Sequence, residues 1–328
     1  MRIASKLIIF ILFLLPVCVT GCIDEGNPNC DLPQQELTIQ FLHNINPSYE
    51  NTLPDVIEYI NLYIYNESGS IAKYERLTRE RLDTTAYIYK TYLEVGTYTL
   101  IAIMNGEQEY NCEYTDSLEN ASLRVICDGK QQLSTRTAPV FYGYDDKLYD
   151  NRYEEKQAVV TLDWYPVQRT INFANNTNNI EVNVKFNRYL LSGSEIEVYI
   201  QGKNGVIDFI NKCPDHHPVY TYHSHEREIE NTITYQNYIS RITTQRLWEG
   251  DNLELTIIKK EPGKEDEVMA SQPLTELLMK NPLYNNDYQL ERYHEYKLVY
   301  EYEFKDNAWM LSEILVNDWK TIQQPVEL

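Results

Sequence analysis

The sequence predicts an all-β protein of two antiparallel β-sandwiches in tandem, and three observations carry that reading. Apolar residues alternate with polar ones in one short stretch after another, the period of two that gives a strand one buried face. Glycine, proline, asparagine and aspartate punctuate these stretches at short intervals, as in sandwich folds. A helical period occurs only over Leu274 to Lys280, with Ser271 as candidate cap and Pro273 in its first turn.

The chain opens with Met1 to Lys6, which carries Arg2 and Lys6, and continues as an apolar run from Leu7 to Leu15 closed by Pro16. That run is far shorter than the roughly 20 residues of a membrane-spanning helix and fits the hydrophobic region of a secretory signal. Val19-Thr20-Gly21-Cys22 follows and resembles the bacterial lipobox. The resemblance implies cleavage before Cys22 and acylation of its thiol, the best nucleophile available for taking up a diacylglycerol group. Residues 1–21 are then a lipoprotein signal peptide and residues 22–33 a lipidated tether, since Ile23 to Pro33 hold no apolar period. Each buried methylene of an acyl chain contributes about 0.8 kcal/mol, so several chains on one cysteine make a durable anchor.

Strands follow in order. Leu37, Ile39 and Phe41 alternate with polar neighbours, and Ile60, Leu62 and Ile64 do so before the turn Asn66-Glu67-Ser68-Gly69. Tyr98, Leu100, Ala102 and Met104 form the next, ended by Asn105-Gly106, and Ala158, Val160, Leu162 and Trp164 another before Pro166. Beyond Pro166 come Ile180 to Phe186, Ile196 to Ile200, Leu253 to Ile257 and Tyr296 to Phe304. The boundary is expected near Pro166, giving an N-terminal sandwich over 34–165 and a C-terminal one over 166–328.

Hydrophobic residues make up 43% of the chain, enough for real cores, and the net charge is −20. Loss of Arg2 and Lys6 with the signal makes it more acidic still. Such a chain is repelled by phosphate backbones, so nucleic acid is not an expected partner, and membrane contact is expected through the lipid. With Cys18 removed and Cys22 acylated, Cys30, Cys112, Cys127 and Cys213 remain, and they permit three pairings. The favoured single bridge joins Cys112 to Cys127 around Tyr114-Thr115-Asp116-Ser117, worth about 3 kcal/mol in the loop-entropy model. Cys30 to Cys213 is a weaker option, and four free thiols is the plain alternative.

Catalytic signatures are missing. There is no Gly-x-Ser-x-Gly elbow, and 12 glycines supply neither a dinucleotide fingerprint nor a phosphate-binding loop, so neither an enzyme nor a cofactor is expected. His223 and His225, alternating on one strand near Cys213 and His216-His217, are weak metal candidates; a solvated histidine-rich loop is the commoner outcome. Asp145 to Asn151 lacks the spaced oxygens and glycine of a calcium loop. The 28 tyrosines suggest stacking on sugar rings, above all at Tyr220-Thr221-Tyr222 and Tyr284 to Tyr288, against the simpler reading of tyrosine as a strand former.

Several stretches together resemble the FimB-type fimbrial anchor lipoproteins, also called fimbrillin-A associated anchor proteins. They are the lipobox with Cys30 and the strand Leu37 to Phe41, the Gly-Thr-Tyr-Thr core within Leu93 to Asn105, the turn Gly202 to Gly205, Arg246-Leu247, and Ile314-Leu315-Val316-Asn317-Asp318-Trp319. The resemblance implies two transthyretin-like sandwiches, an outward-facing place on the outer membrane, and a role in attaching fimbriae and limiting their length. Asp24-Glu25 resemble the acidic signal for outward display. The expected partner is a fimbrial stalk subunit, a fimbrillin, held by strand addition, because a row of backbone hydrogen bonds resists being pulled apart all at once. The tail Lys320 to Leu328, with Ile322, Val326 and Pro325, is a candidate donated strand. The competing expectations are a surface glycan-binding lipoprotein and a fimbrial tip or accessory subunit.

Overall fold

A computed structural model describes residues 33–146, 157–213 and 216–321. The signal segment, Cys22, the tether and Cys30 lie outside the described residues, as do Lys147 to Asn151, Pro214-Asp215 and Ile322 to Leu328.

Strands dominate the described chain and helices are few and short. β1 (Gln34–Ile45) has the expected alternation, with Leu37, Ile39 and Phe41 fully buried. A single turn of helix, α1 (Leu53–Val56), leads into the hairpin β2 (Tyr59–Asn66) and β3 (Ile71–Thr78). Its turn is held by the Asn66 Oδ1, which accepts from the Ser70 N–H at 3.0 Å. α2 (Arg79–Asp83), β4 (Ile88–Glu94) and β5 (Gly96–Met104) follow. The short strands β6 (Tyr110–Glu113), β7 (Ser122–Val125) and β8 (Gln132–Leu133) precede β9 (Phe141–Asp145), β10 (Ala158–Leu162) and β11 (Val167–Asn175).

Beyond Thr177 come β12 (Asn178–Phe186), β13 (Glu195–Gly202), β14 (Val206–Asp208), β15 (Tyr220–His223), β16 (Glu226–Asn231) and β17 (Gln236–Thr244). β18 (Glu254–Lys260), β19 (Glu267–Pro273), α3 (Leu274–Leu278), α4 (Asp287–Leu290), β20 (Glu295–Lys305), β21 (Ala308–Val316) and β22 (Trp319–Thr321) complete it. Leu253 sits just before β18, and Ser271, the expected cap, is a residue of β19. Pro273 occupies the N-cap of α3 without a side-chain cap bond.

An eight-stranded mixed sheet runs β3-β2-β5-β9-β11-β1-β4, with β10 on β5. β1 and β11 are parallel, Leu37 opposite Val167. The strand after Pro166 therefore completes the first sheet, and β12 is the first strand of the next one in chain order. Trp164 is not on β10: Asp163 Oδ1 accepts from the Tyr165 N–H at 3.2 Å and Pro166 has no N–H for a ladder, so the chain turns there. Beyond it lie a six-stranded sheet, β16-β17-β12-β20-β21-β22, and a five-stranded one, β19-β18-β13-β15-β8. A three-stranded sheet, β14-β7-β6, is built from both halves.

One buried face per strand was the expectation, but β2 and β5 bury both. Ile60, Leu62, Leu100 and Met104 enter a core with Phe41 and Phe173. Tyr63, Tyr65, Ile101 and Ile103, on the other face, join the core shared by Val182, Val198, Leu255 and Tyr300. A sheet covered on both sides needs near-continuous apolar strands, which is how Tyr59 to Tyr65 reads. Gly143 on β9 permits the close packing, because a Cβ there would stand 2.4 Å from Ile171 Cγ2.

Candidate fimbrial interface

Polar side chains lock the junction between the halves. Arg246 Nη2 pairs with Glu291 Oε1 at 2.8 Å, with side chains only 12% and 2% exposed. The Tyr144 hydroxyl donates to the same Glu291 oxygen at 3.0 Å, and Asn176 Nδ2 donates to Asn211 Oδ1 at 2.7 Å. Asn211 Nδ2 also reaches the Tyr144 hydroxyl, and Arg246 Nη1 the Asn211 carbonyl. Arg292 donates to the carbonyls of Asn44 and Asn46 at 3.0 and 3.1 Å and stacks between the rings of Tyr49 and Tyr288. Removing one partner of such a buried pair costs several kcal/mol, because it strands the other charge.

One buried histidine, His43, and one half-buried, His294, lie near this junction. His43 on β1 bonds Thr52 Oγ1 through Nδ1 at 2.8 Å, and burial pushes its pKa down to about 4. His294, whose ring nitrogens are shielded from solvent and have no hydrogen-bond partner, is pushed down to about 3, by burial first and then by His43. Both are neutral at pH 7.

The expected site residues are placed as follows. Cys112, Cys127 and Cys213 are free thiols. The Cys112–Cys127 bridge is not formed because the β6–β7 register sets Cys112 opposite Leu123, four residues before Cys127. At roughly 3.3 Å per strand residue that offset exceeds the about 7 Å a disulfide can span. His223 and His225 do not share a strand face, because β15 ends at His223 and the chain crosses to another sheet at β16. His223 Nδ1 faces Glu197 Oε1 at 3.9 Å, whereas His225 lines a groove with Arg136, Glu181 and Arg241. His216 and His217 border a separate cleft with Glu113, Asp116 and Asp208. Among the described residues no group of three or more His, Cys, Asp or Glu side chains is arranged to hold a metal ion. Tyr220, Tyr222 and Tyr284 are buried, so they are core residues and cannot stack on a sugar.

The sheet edges remain as surfaces for a partner. β16 is exposed throughout but carries Glu226, Arg227, Glu228 and Glu230, the charge pattern that blunts an edge. β3 carries Lys73, Glu75 and Arg76. β19 differs: Val268-Met269-Ala270-Ser271-Gln272 has no charge, and Glu267 is paired with Lys259 at 2.6 Å. Val268 is 60% exposed, and the ladder from Ala270 to Pro273 against β18 is regular. The Tyr302 hydroxyl holds the Met269 carbonyl at 3.0 Å from inside the sandwich. The sequence marked no edge; the signal was there in the uncharged run after Glu267.

Residues 27–325 match the family described as fimbrillin-A associated anchor proteins Mfa1 and Mfa2. The chain belongs to that family. A search of curated sequences gave no match. Among solved structures, a candidate polysaccharide-binding protein from Bacteroides thetaiotaomicron superposes with a TM-score of 0.72 at 18% identity, covering 88% of this chain and 98% of that one. The fimbrial anchor protein Mfa2 from Porphyromonas gingivalis gives 0.68 at 17% identity, covering 88% and 99%. A candidate adhesin from Bacteroides ovatus gives 0.69 at 16% identity, covering 92% and 98%. At such identities the likeness carries the fold, which the fimbrillin-A associated anchor family shares over nearly its whole length here. The family is one of structural fimbrial proteins, which places this member's role at the fimbria and the cell surface.

Proposed function

We propose that this chain is an outer-membrane lipoprotein that fixes the base of a fimbria to the cell surface. Acyl chains on Cys22 hold it to the membrane, residues 23–33 act as the tether, and the β-sandwiches hold the filament. The observation that carries the reading is the anchor-family match over 27–325, which begins just after the lipobox cysteine. β19 is the edge we assign to the fimbrillin, because it exposes Val268 and carries no charge beyond the paired Glu267. An incoming strand there extends the five-stranded sheet by a row of backbone hydrogen bonds, and its shared load suits a tethered filament. A subunit seated on the anchor has its growing end occupied, which is how anchoring limits filament length. The tail beyond Thr321 remains a candidate strand offered to a neighbour.

Val268→Lys tests the edge assignment. Lysine on an edge strand opposes pairing with another chain, and at a 60% exposed position it leaves the core intact. Cells carrying it are expected to shed fimbriae into the supernatant while the protein stays on the membrane. Wild-type retention of fimbriae would remove β19 from the account.

A further inference from the structure

Two neighbouring aromatic residues are the most exposed large rings described: Trp164 at 76% and Tyr165 at 74%. They sit at the tip of the β10–β11 turn, which is shaped by the Asp163 bond to the Tyr165 N–H and by Pro166. Nothing in the anchoring scheme above uses them.

Their position follows from register. β1 and β11 run parallel with Leu37 beside Val167, so the turn before β11 flanks the point where the chain enters β1. β10 ends with Leu162 opposite Gly96, which brings the β4–β5 turn to the same end. Tyr92, 58% exposed on β4, also belongs to this end, since its hydroxyl donates to Glu36 Oε2 at 3.0 Å. β1 begins at Gln34 at this same end, and the 12 residues from Cys22 to Pro33 that precede it in the chain can span at most about 40 Å at 3.3–3.6 Å per residue. An exposed tryptophan and tyrosine thus stand at the end where β1 begins.

We infer that Trp164 and Tyr165 insert into the lipid interface and form a second, non-covalent foot for the anchor. The inference rests on acylation of Cys22. Tryptophan and tyrosine are the side chains that favour the headgroup level, with the ring body in the apolar layer and the N–H or O–H wet. With a net charge of −20 the protein gains nothing from anionic headgroups, so a second foot must be apolar. One lipid point allows the body to swivel; a second contact fixes which way the β19 edge faces.

The test uses the acylated full chain in phosphatidylethanolamine vesicles with brominated acyl chains, which quench tryptophan on contact. Wild type is expected to be quenched, and Trp164→Phe to lose most of that quenching although Trp248, Trp309 and Trp319 remain. In parallel, the unacylated Cys22→Ala chain is titrated with the same vesicles, and adding Trp164→Ala with Tyr165→Ala is expected to weaken binding about 10-fold or more. Acylation, read by mass, with quenching unchanged in Trp164→Phe overturns the foot and leaves the lipid anchor standing. A chain without acyl groups overturns the anchor reading, and the Cys22→Ala titration then decides the foot alone: equal binding with and without the aromatic pair overturns it.

Discussion

His294 shows how burial sets chemistry at single positions. The sequence marked histidines by their clustering near Cys213, yet the ones most perturbed are His43 and His294, far apart in the chain and brought near each other by β1 and the lead into β20. Both have depressed pKa values, so the fold holds them neutral while the unfolded chain protonates near pH 6.5. Their contribution is therefore complete above pH 6.5 and is lost as pH falls towards 3 to 4. For His294 the loss between pH 7 and pH 5 amounts to about 2 kcal/mol. Replacing it with leucine is expected to raise stability at pH 5 relative to pH 7 by that amount when compared with wild type in denaturant titrations. Asp251, raised to about 6 by burial, works in the opposite sense but is common to both proteins and drops out of the difference. An identical pH profile for the two would contradict the shielding of the His294 ring nitrogens.

At the scale of elements, most strands were legible because alternation is written directly into residues such as Leu37, Ile39 and Phe41. The reading failed where tertiary structure covers a second face. Tyr63 and Tyr65 look like the wet side of an amphipathic strand, but they pack against Phe209, with ring centroids 5.0 and 6.4 Å away. Tyr220 and Tyr222 follow the simpler reading of tyrosine as a strand former, since a phenol is buried at little cost when its hydroxyl finds a partner, as Tyr222 does with Asn204 Oδ1 at 2.8 Å. The thiol pairing failed on register, which spacing alone cannot supply. Edge identity depends on sheet order, which the sequence does not supply, although the charge contrast between β16 and β19 is written in their residues. Ile229→Lys on β16 is the matching control for Val268→Lys: fimbriae are expected to stay attached, and shedding equal to that of the β19 variant would contradict the assignment to β19.

For the whole molecule, residues 35–328 form one compact unit. The sequence suggested two sandwiches in tandem with a boundary near Pro166, because the alternating strands resume past that proline at Ile180. β11 instead closes the first sheet, β8 and β14 pair across the halves, and Tyr63, Ile101 and Tyr142 share a core with the second half. Heating is therefore expected to give a single calorimetric transition, and Glu291→Ala, which strands Arg246, to lower stability by about 3–5 kcal/mol. Two separate transitions in the wild type would contradict the shared core. A stiff body suits a load carried from filament to membrane, because a hinge between the halves would yield first.

The central claim, that this body ties fimbriae to the membrane through Cys22, is tested most directly by Cys22→Ala in the native cell. Fimbriae would be counted on cells and in the culture supernatant. Filaments are expected to be made but shed, with the protein released alongside them. Cells that keep fimbriae at wild-type number and length would contradict the claim.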